Sequence, residues 1–125
     1  MQERVKRLLG LFDGVGVEAF YVTAPENRYY LSGFTGTSGA LLLCRNHSYL
    51  ITDFRYTSQA AQECPGFTII EAPGNSLEAL AGLCLQGHVT QLGCEGDNLT
   101  YTQFLALQQG LTGVALKPVS GVVEG

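Results

Sequence analysis

The amino-acid sequence predicts an α/β fold in which a mixed sheet carries helices on both faces. Segments rich in branched and aromatic residues alternate with amphipathic segments, which is the pattern of a layered α/β domain. One hairpin signal interrupts this alternation, so both parallel and antiparallel strands are expected. The central run "ALLLC" (40–44) has no polar positions, as is typical of a strand buried on both faces.

The first part of the chain predicts a helix, a strand, a short helix and a hairpin. Apolar residues at helical spacing indicate a helix over 2–13, closed by two glycines. The aromatic and branched segment "EAFYVTA" (18–24) predicts a strand. Pro25 then opens a short helix, because proline is tolerated at a first helical position. The strands "ALLLCR" and "SYLITD" flank Asn46 and His47, which predicts a hairpin.

The second part returns to the alternation of helices and strands. Asp53 is placed to cap a helix over 54–64, which Pro65 ends, and "FTIIEA" predicts the next strand. Asn75 with Glu78 forms a capping box before another helix, as does Thr100 with Gln103 before the last one. The strands "VTQLGCE" and "VALKPV" complete the set, and the proline of the latter is expected only at a sheet edge.

Composition indicates one domain, 1–125, and excludes several classes of protein. Seven basic residues against eleven acidic ones give a net charge of −4, without a basic stripe, so no nucleic-acid partner is expected. The longest apolar run, 40–44, is far short of the roughly 20 residues of a membrane span. We therefore expect no membrane association and a cytoplasmic location. The four cysteines lack C-x-x-C spacing, which favours buried free thiols over zinc or redox sites.

The stretch "LSGFTGTSGALLLC" (31–44) contains three glycines spaced three apart. A phosphate loop leads into a helix and ends in a lysine, whereas this loop leads into a strand and no lysine lies between Lys6 and Lys117. Ser38 does not fit a nucleophile elbow, which would need glycine in place of Ala40 and a turn from strand to helix. The loop is expected to be a helix-to-strand corner whose glycines allow tight or left-handed turns.

No metal site is predicted within these 125 residues. The acidic residues are spread along the chain, and the closest pair, Glu95 and Asp97, has the pattern of a turn after a strand. The histidines, His47 and His88, are expected in exposed loops, away from any partnership with a serine nucleophile.

Two groups of polar and aromatic residues stand at predicted strand ends and are the candidate site. The first lies in the glycine-rich loop and consists of Phe34, Thr35, Gly36, Thr37 and Ser38. The second is "DFRY" (53–56), in which Tyr56 has two interpretations, a site residue or a residue that only packs. Arg55 has two interpretations: its guanidinium binds a carboxylate in a bidentate manner, or it is a partly paired surface arginine.

Four segments in order carry a family resemblance: "APENRYYLSGFTGTSGALLL", "YLITDFRYTSQAAQECPGF", "LGCEGDNLTYTQF" and "PVSGVVE". Together they resemble the N-terminal domain of Xaa-Pro aminopeptidases and dipeptidases, metallopeptidases of the creatinase and methionine-aminopeptidase superfamily. The resemblance runs from about Arg4 to Glu124. It implies a three-layer α/β/α sandwich with a mixed sheet of about five to six strands and a ribonuclease-H-like motif.

The resemblance also implies that catalysis takes place elsewhere. In such peptidases a C-terminal "pita-bread" domain, expected to lie outside 1–125, binds divalent metal ions (manganese, cobalt or zinc) and cleaves the bond that precedes proline. No catalytic or metal-binding residue is carried over to this chain. We expect the 125 residues alone to hold no cofactor and to hydrolyse no peptide.

The partners implied by the resemblance are the chain's own catalytic domain, a second copy in a homodimer, and a proline-containing peptide. In relatives a loop of this domain reaches the neighbouring subunit's active site, and by position this loop is 34–39. We therefore expect Phe34, Thr37 and Ser38 to face substrate, and Arg55 and Tyr56 to support the loop or an interface.

Two alternatives remain open from the sequence. The domain could belong to a non-catalytic peptide-binding module, since peptidase-like domains of this superfamily also occur in proteins that bind peptides without cutting them. It could also belong to a creatinase-like amidinohydrolase. The reading frame downstream of residue 125 distinguishes them, because metal ligands in family order support an enzyme and their loss supports a binding module.

Overall fold

A six-stranded mixed sheet forms the middle layer of the fold in the computed structural model. The structure describes residues 3–36, 39–45, 47–72, 77–95, 99–111 and 113–119. Within them the strands are β1 (Ala19–Val22), β2 (Ala40–Cys44), β3 (Ser48–Thr52), β4 (Thr68–Glu71), β5 (Gln91–Glu95) and β6 (Ala115–Val119). The predicted α/β fold with a mixed sheet is confirmed.

The strand order determines which ends of the strands meet. The order is β4-β3-β2-β1-β5-β6, with β2 antiparallel to β1 and β3 and all other neighbours parallel. Of the six described strands, β2 alone runs in the opposite direction, in agreement with the ribonuclease-H-like motif. The other five therefore end at the edge where β2 begins, and we call this edge the carboxyl edge.

Helices cover both faces of the sheet. In chain order the described helices are α1 (Glu3–Leu9), α2 (Phe12–Val15), α3 (Pro25–Ser32), α4 (Thr57–Glu63), α5 (Leu77–Gln86) and α6 (Tyr101–Gly110). Buried side chains of α1 to α4 pack in one hydrophobic cluster with the sheet, and those of α5 and α6 pack in another.

Alternation along the central strands assigns each side chain to one of these two clusters. In β1, Phe20 and Val22 belong to the first cluster, whereas Ala19 and Tyr21 belong to the second. Successive side chains of a strand point to opposite faces, so a strand covered on both faces is apolar throughout. This explains the unbroken apolar run of β2 and confirms the three-layer sandwich.

Several local predictions are confirmed. Pro25 is the first residue of α3, and the strands β2 and β3 form the predicted hairpin. Thr100 and Gln103 form a capping box at α6, with both reciprocal hydrogen bonds present. The strand β6 is at the sheet edge, as its proline requires. The capping box of Asn75 with Glu78 stays a prediction, because Asn75 lies outside the described residues.

The prediction of one continuous helix over 2–13 was wrong. A turn at Gly10 and Leu11 separates α1 from α2, and the Leu11 amide donates to the Leu8 carbonyl at 3.0 Å, a tightened last turn. Glycine is a poor helix former, so the interruption at Gly10 costs little. Beyond the turn, Phe12 lies fully buried in the first cluster.

The prediction that Asp53 caps a helix beginning at Phe54 was also wrong. Residues 54–56 form a turn, and α4 begins at Thr57 with Tyr56 at its N-cap position and no side-chain cap bond. The Asp53 carboxylate accepts instead from the backbone amide and the guanidinium of Arg55. A short aspartate side chain favours such local turns as readily as a helix cap.

Candidate functional site

The two groups of predicted site residues meet at the carboxyl edge. The Phe34–Gly39 loop leads into the start of β2, and Asp53–Tyr56 follow the end of the neighbouring β3. The rings of Phe34 and Tyr56 are 5.9 Å apart in an edge-to-face arrangement. Ligands of open α/β sheets bind outside the carboxyl ends of the strands. We therefore call these two segments together the loop site.

Phe34 shapes the loop from inside. The residue is only 1% exposed and belongs to the first hydrophobic cluster. Its ring lies against Gly36, where a β-carbon would come within 2.3 Å of the Phe34 Cζ atom. Gly36 is therefore needed for close approach of the ring. The ring is buried, so contact between Phe34 and substrate stays a prediction.

The loop begins and ends with glycines in unusual backbone conformations. Gly33 ends α3 with a left-handed φ of 82°, and its amide donates to the Tyr29 carbonyl. Gly39, at a φ of 156°, leads into β2. Both values lie in the region that favours glycine. The predicted helix-to-strand corner is thus present.

Thr35 is exposed and held by α4. Its backbone amide and hydroxyl donate to the two carboxylate oxygens of Glu63, at 2.9 and 2.8 Å. The Gln59 amide donates to the Thr35 hydroxyl at 2.7 Å. The hydrogen bonds that Glu63 accepts from Thr35 and Gln59, chiefly that of the Thr35 amide, lower its pKa. The carboxylate thus fixes Thr35 as long as it is ionised.

Arg28 binds both sides of the loop from α3. Its two terminal nitrogens donate to the carbonyls of Gly39 at 2.8 Å and Gly36 at 3.0 Å. The residue is only 4% exposed, and its guanidinium lies 5.9 Å from the centre of the Phe34 ring. Sequence analysis missed Arg28, since a helical arginine is ordinarily expected at the surface.

Arg55 forms a local ion pair. Its guanidinium donates to both carboxylate oxygens of Asp53, at 3.0 and 2.8 Å, and packs over the Tyr56 ring. The hydrogen bond to Asp53 raises the pKa of Arg55. The Arg55 side chain is 61% exposed, so the structure has the paired surface arginine of the second interpretation. Another carboxylate that binds Arg55 would have to displace Asp53 from the guanidinium or share the guanidinium with it.

Thr37 and Ser38 lie outside the described residues, so their expected contact with substrate stays a prediction. The flanking residues Gly36 and Gly39 are the ones whose carbonyls Arg28 binds. Phe54, which precedes Arg55, is 74% exposed and places a large apolar ring at the carboxyl edge.

Glu95 organises the start of α3 from the end of β5, the strand that pairs with β1. One carboxylate oxygen accepts from the backbone amides of Thr23 and Ala24, the latter at 2.7 Å, and the other accepts from the Asn27 amide. Ala24, the N-cap residue of α3, has no side-chain acceptor of its own. We predicted only a turn at Glu95, and its distance in sequence from α3 gave no signal of this role.

The part of the chain that the structure describes has neither a metal-binding cluster nor a membrane-spanning helix. No group of three His, Cys, Asp or Glu side chains could hold a metal ion there. No described helix is long and apolar enough to cross a membrane.

The four cysteines are free thiols, as predicted. Cys64, Cys84 and Cys94 are buried and Cys44 is partly exposed. Burial raises the pKa of Cys84 and Cys94 to about 11. These thiols act as small apolar side chains, since nucleophilic cysteines have lowered pKa values.

Comparison with known proteins identifies the family. The family model of the creatinase/prolidase N-terminal domain matches residues 4–125. The chain belongs to this family. The resemblance found in the four sequence segments is thereby confirmed.

Relatives with this domain are identical to this chain at about one third of the aligned residues. The creatinase/prolidase N-terminal domain described here is 31% identical over 121 residues to the uncharacterized peptidase YqhT of Bacillus subtilis (strain 168), covering 97% of this chain and 34% of YqhT. It superposes on an Xaa-Pro dipeptidase from Bacillus anthracis with a TM-score of 0.93 at 33% identity, covering 98% of this chain and 34% of that one.

A third relative contains little beyond this domain. The N-terminal domain of the cytoplasmic peptidase PepQ from Mycobacterium tuberculosis H37Rv superposes with a TM-score of 0.92 at 31% identity, covering 99% of this chain and 98% of that one. A creatinase/prolidase N-terminal domain therefore folds as a separate chain. The present chain spans about a third of the length of YqhT and of the B. anthracis dipeptidase.

Proposed function

We propose that this chain is the non-catalytic N-terminal domain of a metal-dependent Xaa-Pro peptidase that removes the residue preceding proline. The observation that carries the proposal is the superposition on an Xaa-Pro dipeptidase, in which this domain is about a third of the chain. The other two thirds of that dipeptidase chain are long enough for a second domain, to which we assign catalysis. The two divalent metal ions of such a peptidase (manganese, cobalt or zinc) are assigned to that domain.

In this proposal the loop site forms part of the wall that restricts the substrate. Thr35 is exposed, fixed by Glu63 and located beside the loop positions expected to face substrate. A wall built from a rigid loop excludes peptides of the wrong length or shape without taking part in the reaction. Thr37 and Ser38 are proposed to contact the peptide, and Tyr56 is proposed to support Phe34.

The partners proposed for this domain are its own catalytic domain and a second copy in a homodimer. Phe54 supports an interface at the carboxyl edge, because a large exposed aromatic ring is a common anchor of protein interfaces. A cytoplasmic location is proposed on the basis of the relative described as a cytoplasmic peptidase.

The test is an assay of the protein encoded by the full reading frame. Five metal ligands downstream of residue 125 (two aspartates, one histidine and two glutamates) and release of the first residue of an Xaa-Pro peptide with manganese would support the proposal. The control is the 125-residue chain alone, for which no turnover is expected. Loss of the ligands with retained peptide binding would support a binding module, and hydrolysis of a small amidine would support an amidinohydrolase.

Arg55→Ala tests the second segment of the loop site in the same full protein. We expect lower peptide cleavage or weaker dimerisation with an unchanged fold, because Arg55 is exposed at the carboxyl edge. Arg45→Ala is the matched control, since Arg45 is an exposed arginine at the opposite end of β2. Unaltered kinetics and association in Arg55→Ala would reduce Arg55 to a surface residue.

A further inference from the structure

Arg28 makes an unusual pair of bonds for a buried charge. Its guanidinium donates to two backbone carbonyls, those of Gly36 and Gly39. These carbonyls lie on either side of the Thr37–Ser38 pair in the chain. A planar guanidinium presents several donors in a fixed fork, so one side chain can hold two acceptors at a set separation.

The surroundings of Arg28 point to the loop as the reason for its burial. Among the described residues no carboxylate pairs with the guanidinium, and its Nε atom has no partner there. Desolvation lowers the pKa of Arg28, so the buried charge is costly to the fold. The two loop carbonyls, the Phe34 ring and the more distant charges of Glu26 and Glu95 offset this cost.

The contacts of Arg28 and Phe34 are complementary. The Phe34 ring fills the inside of the loop and lies against both Gly36 and Gly39. Glu63 holds Thr35 on the other side. Among the described side chains that hydrogen-bond to the loop, Arg28 binds it both before and after Thr37 and Ser38, whereas Glu63 binds it only before them.

We infer that Arg28 is a positioning residue, which fixes the two sides of the Phe34–Gly39 loop relative to each other by binding the carbonyls of Gly36 and Gly39. Being buried, Arg28 acts through the loop and does not contact substrate. The second part of this inference rests on the proposed function: in an Xaa-Pro peptidase the ordered loop raises the affinity for the peptide, so Arg28 determines KM more than kcat.

The first test is amide hydrogen exchange in the 125-residue chain, since a domain of this family folds as a separate chain. Arg28→Lys keeps the charge but cannot hold two carbonyls in the same geometry, and Arg28→Met removes both bonds. We expect the amides of Thr35, Gly36 and Gly39 to exchange about tenfold faster or more in both variants. Amides of β1 and β5 serve as the internal reference, and Arg7→Lys, at an exposed arginine bonded to the Tyr30 hydroxyl, is the matched control.

Two results of this test would overturn the inference. One is an equal acceleration of loop and sheet amides, which would show a loss of overall stability without a specific effect on the loop. The other needs no variant: loop amides of the unmodified chain that exchange as fast as in an unstructured peptide would show that Arg28 does not order the loop.

The second test measures kinetics in the full protein. With Arg28→Lys we expect KM for an Xaa-Pro peptide to rise about tenfold, with kcat changed by less than about threefold. The positioning role would be overturned if the wild-type protein cleaves peptides and the Arg28→Lys variant has an unchanged KM. A wild-type protein without peptidase activity would contradict the proposed function instead, and hydrogen exchange would still decide whether Arg28 orders the loop.

Discussion

Phe34 and Gly36 depend on each other in a way that sets the shape of the loop. The aromatic ring turns back over the chain two residues later, and the space that a β-carbon of residue 36 would need is already filled by ring atoms. At Gly36 glycine is required for packing, whereas at Gly33 and Gly39 it is required for the backbone angle.

Gly36→Ala is expected to destabilise the domain by about 1 to 3 kcal/mol, because the added methyl group would displace the buried Phe34 ring. Urea unfolding of the two chains measures this difference. Gly66→Ala is the control, since a β-carbon there would meet open space, and its effect should stay within about 0.5 kcal/mol. Equal stability of Gly36→Ala and the wild type would contradict the proposed packing.

The contact between Glu63 and Thr35 is expected to depend on pH. The pKa of Glu63 is lowered in the folded chain, so its contribution to stability is present above the ordinary pKa and is lost as the pH falls through the lowered one. NMR of the Thr35 amide should show a change in shift and a loss of protection, relative to the intrinsic exchange rate at each pH, only below about pH 4.5. In Glu63→Gln this pH step should vanish, whereas Glu71→Gln, at an exposed position on β4, should retain it. A step of the same size in Glu63→Gln would exclude Glu63 as its origin.

Among the helices, α3 is organised by polar contacts. It buries three polar side chains, Asn27, Arg28 and Ser32, each with a hydrogen-bonded partner. At the start of α3, Glu95 accepts a hydrogen bond from the backbone amide of Ala24. At the end of α3, the hydroxyl of its last residue, Ser32, accepts one from the Phe34 amide. The helix thus links β5 to the loop site, and its orientation determines where the Arg28 guanidinium lies.

Glu95→Ala is expected to cost about 2 to 4 kcal/mol, because it leaves the Thr23 and Ala24 amides and the Asn27 side chain without their acceptor in a buried position. Denaturant unfolding provides the measurement. Glu71→Ala removes an exposed carboxylate at the end of another strand and should change stability by less than about 0.5 kcal/mol. If both variants lost the same small amount of unfolding free energy, Glu95 would not be the cap of α3.

The whole domain has two hydrophobic clusters separated by the sheet. The first, under α1 to α4, includes Phe34 and therefore supports the loop site directly. The second, under α5 and α6, contains Cys84 and, among the described residues, no predicted site residue. The described residues of this cluster therefore act on the loop site through the sheet.

The burial of the thiols gives a test of the packed state of the domain. With pKa values of about 11, Cys84 and Cys94 carry almost no thiolate near neutral pH and are shielded from reagents. We expect an aromatic disulfide reagent to label the native chain slowly, with the partly exposed Cys44 reacting first. In urea all four thiols should react at once. Rapid labelling of every thiol in the native chain would contradict the two closed clusters.

Much of the architecture could be predicted from local patterns. Hydrophobic period, capping residues and the position of Pro25 act within a few residues, so the order and type of the elements followed from them. The boundaries at Gly10 and Asp53 were less predictable, because alternative local hydrogen bonds of similar strength compete there. The four family segments likewise predicted which loops belong to the candidate site.

The sequence alone predicted the α/β layers, the family and the two segments of the candidate site, whereas the contact between these segments is seen only in the structure. Only the tertiary structure decided that Phe34 is covered, that Arg28 is buried against the loop, and that Glu95 caps α3. The Ala24–Glu95 bond joins residues 71 positions apart, and no local pattern encodes a partner at that distance. Burial and hydrogen-bond partners of this kind depend on how the layers pack, which is a property of the whole chain.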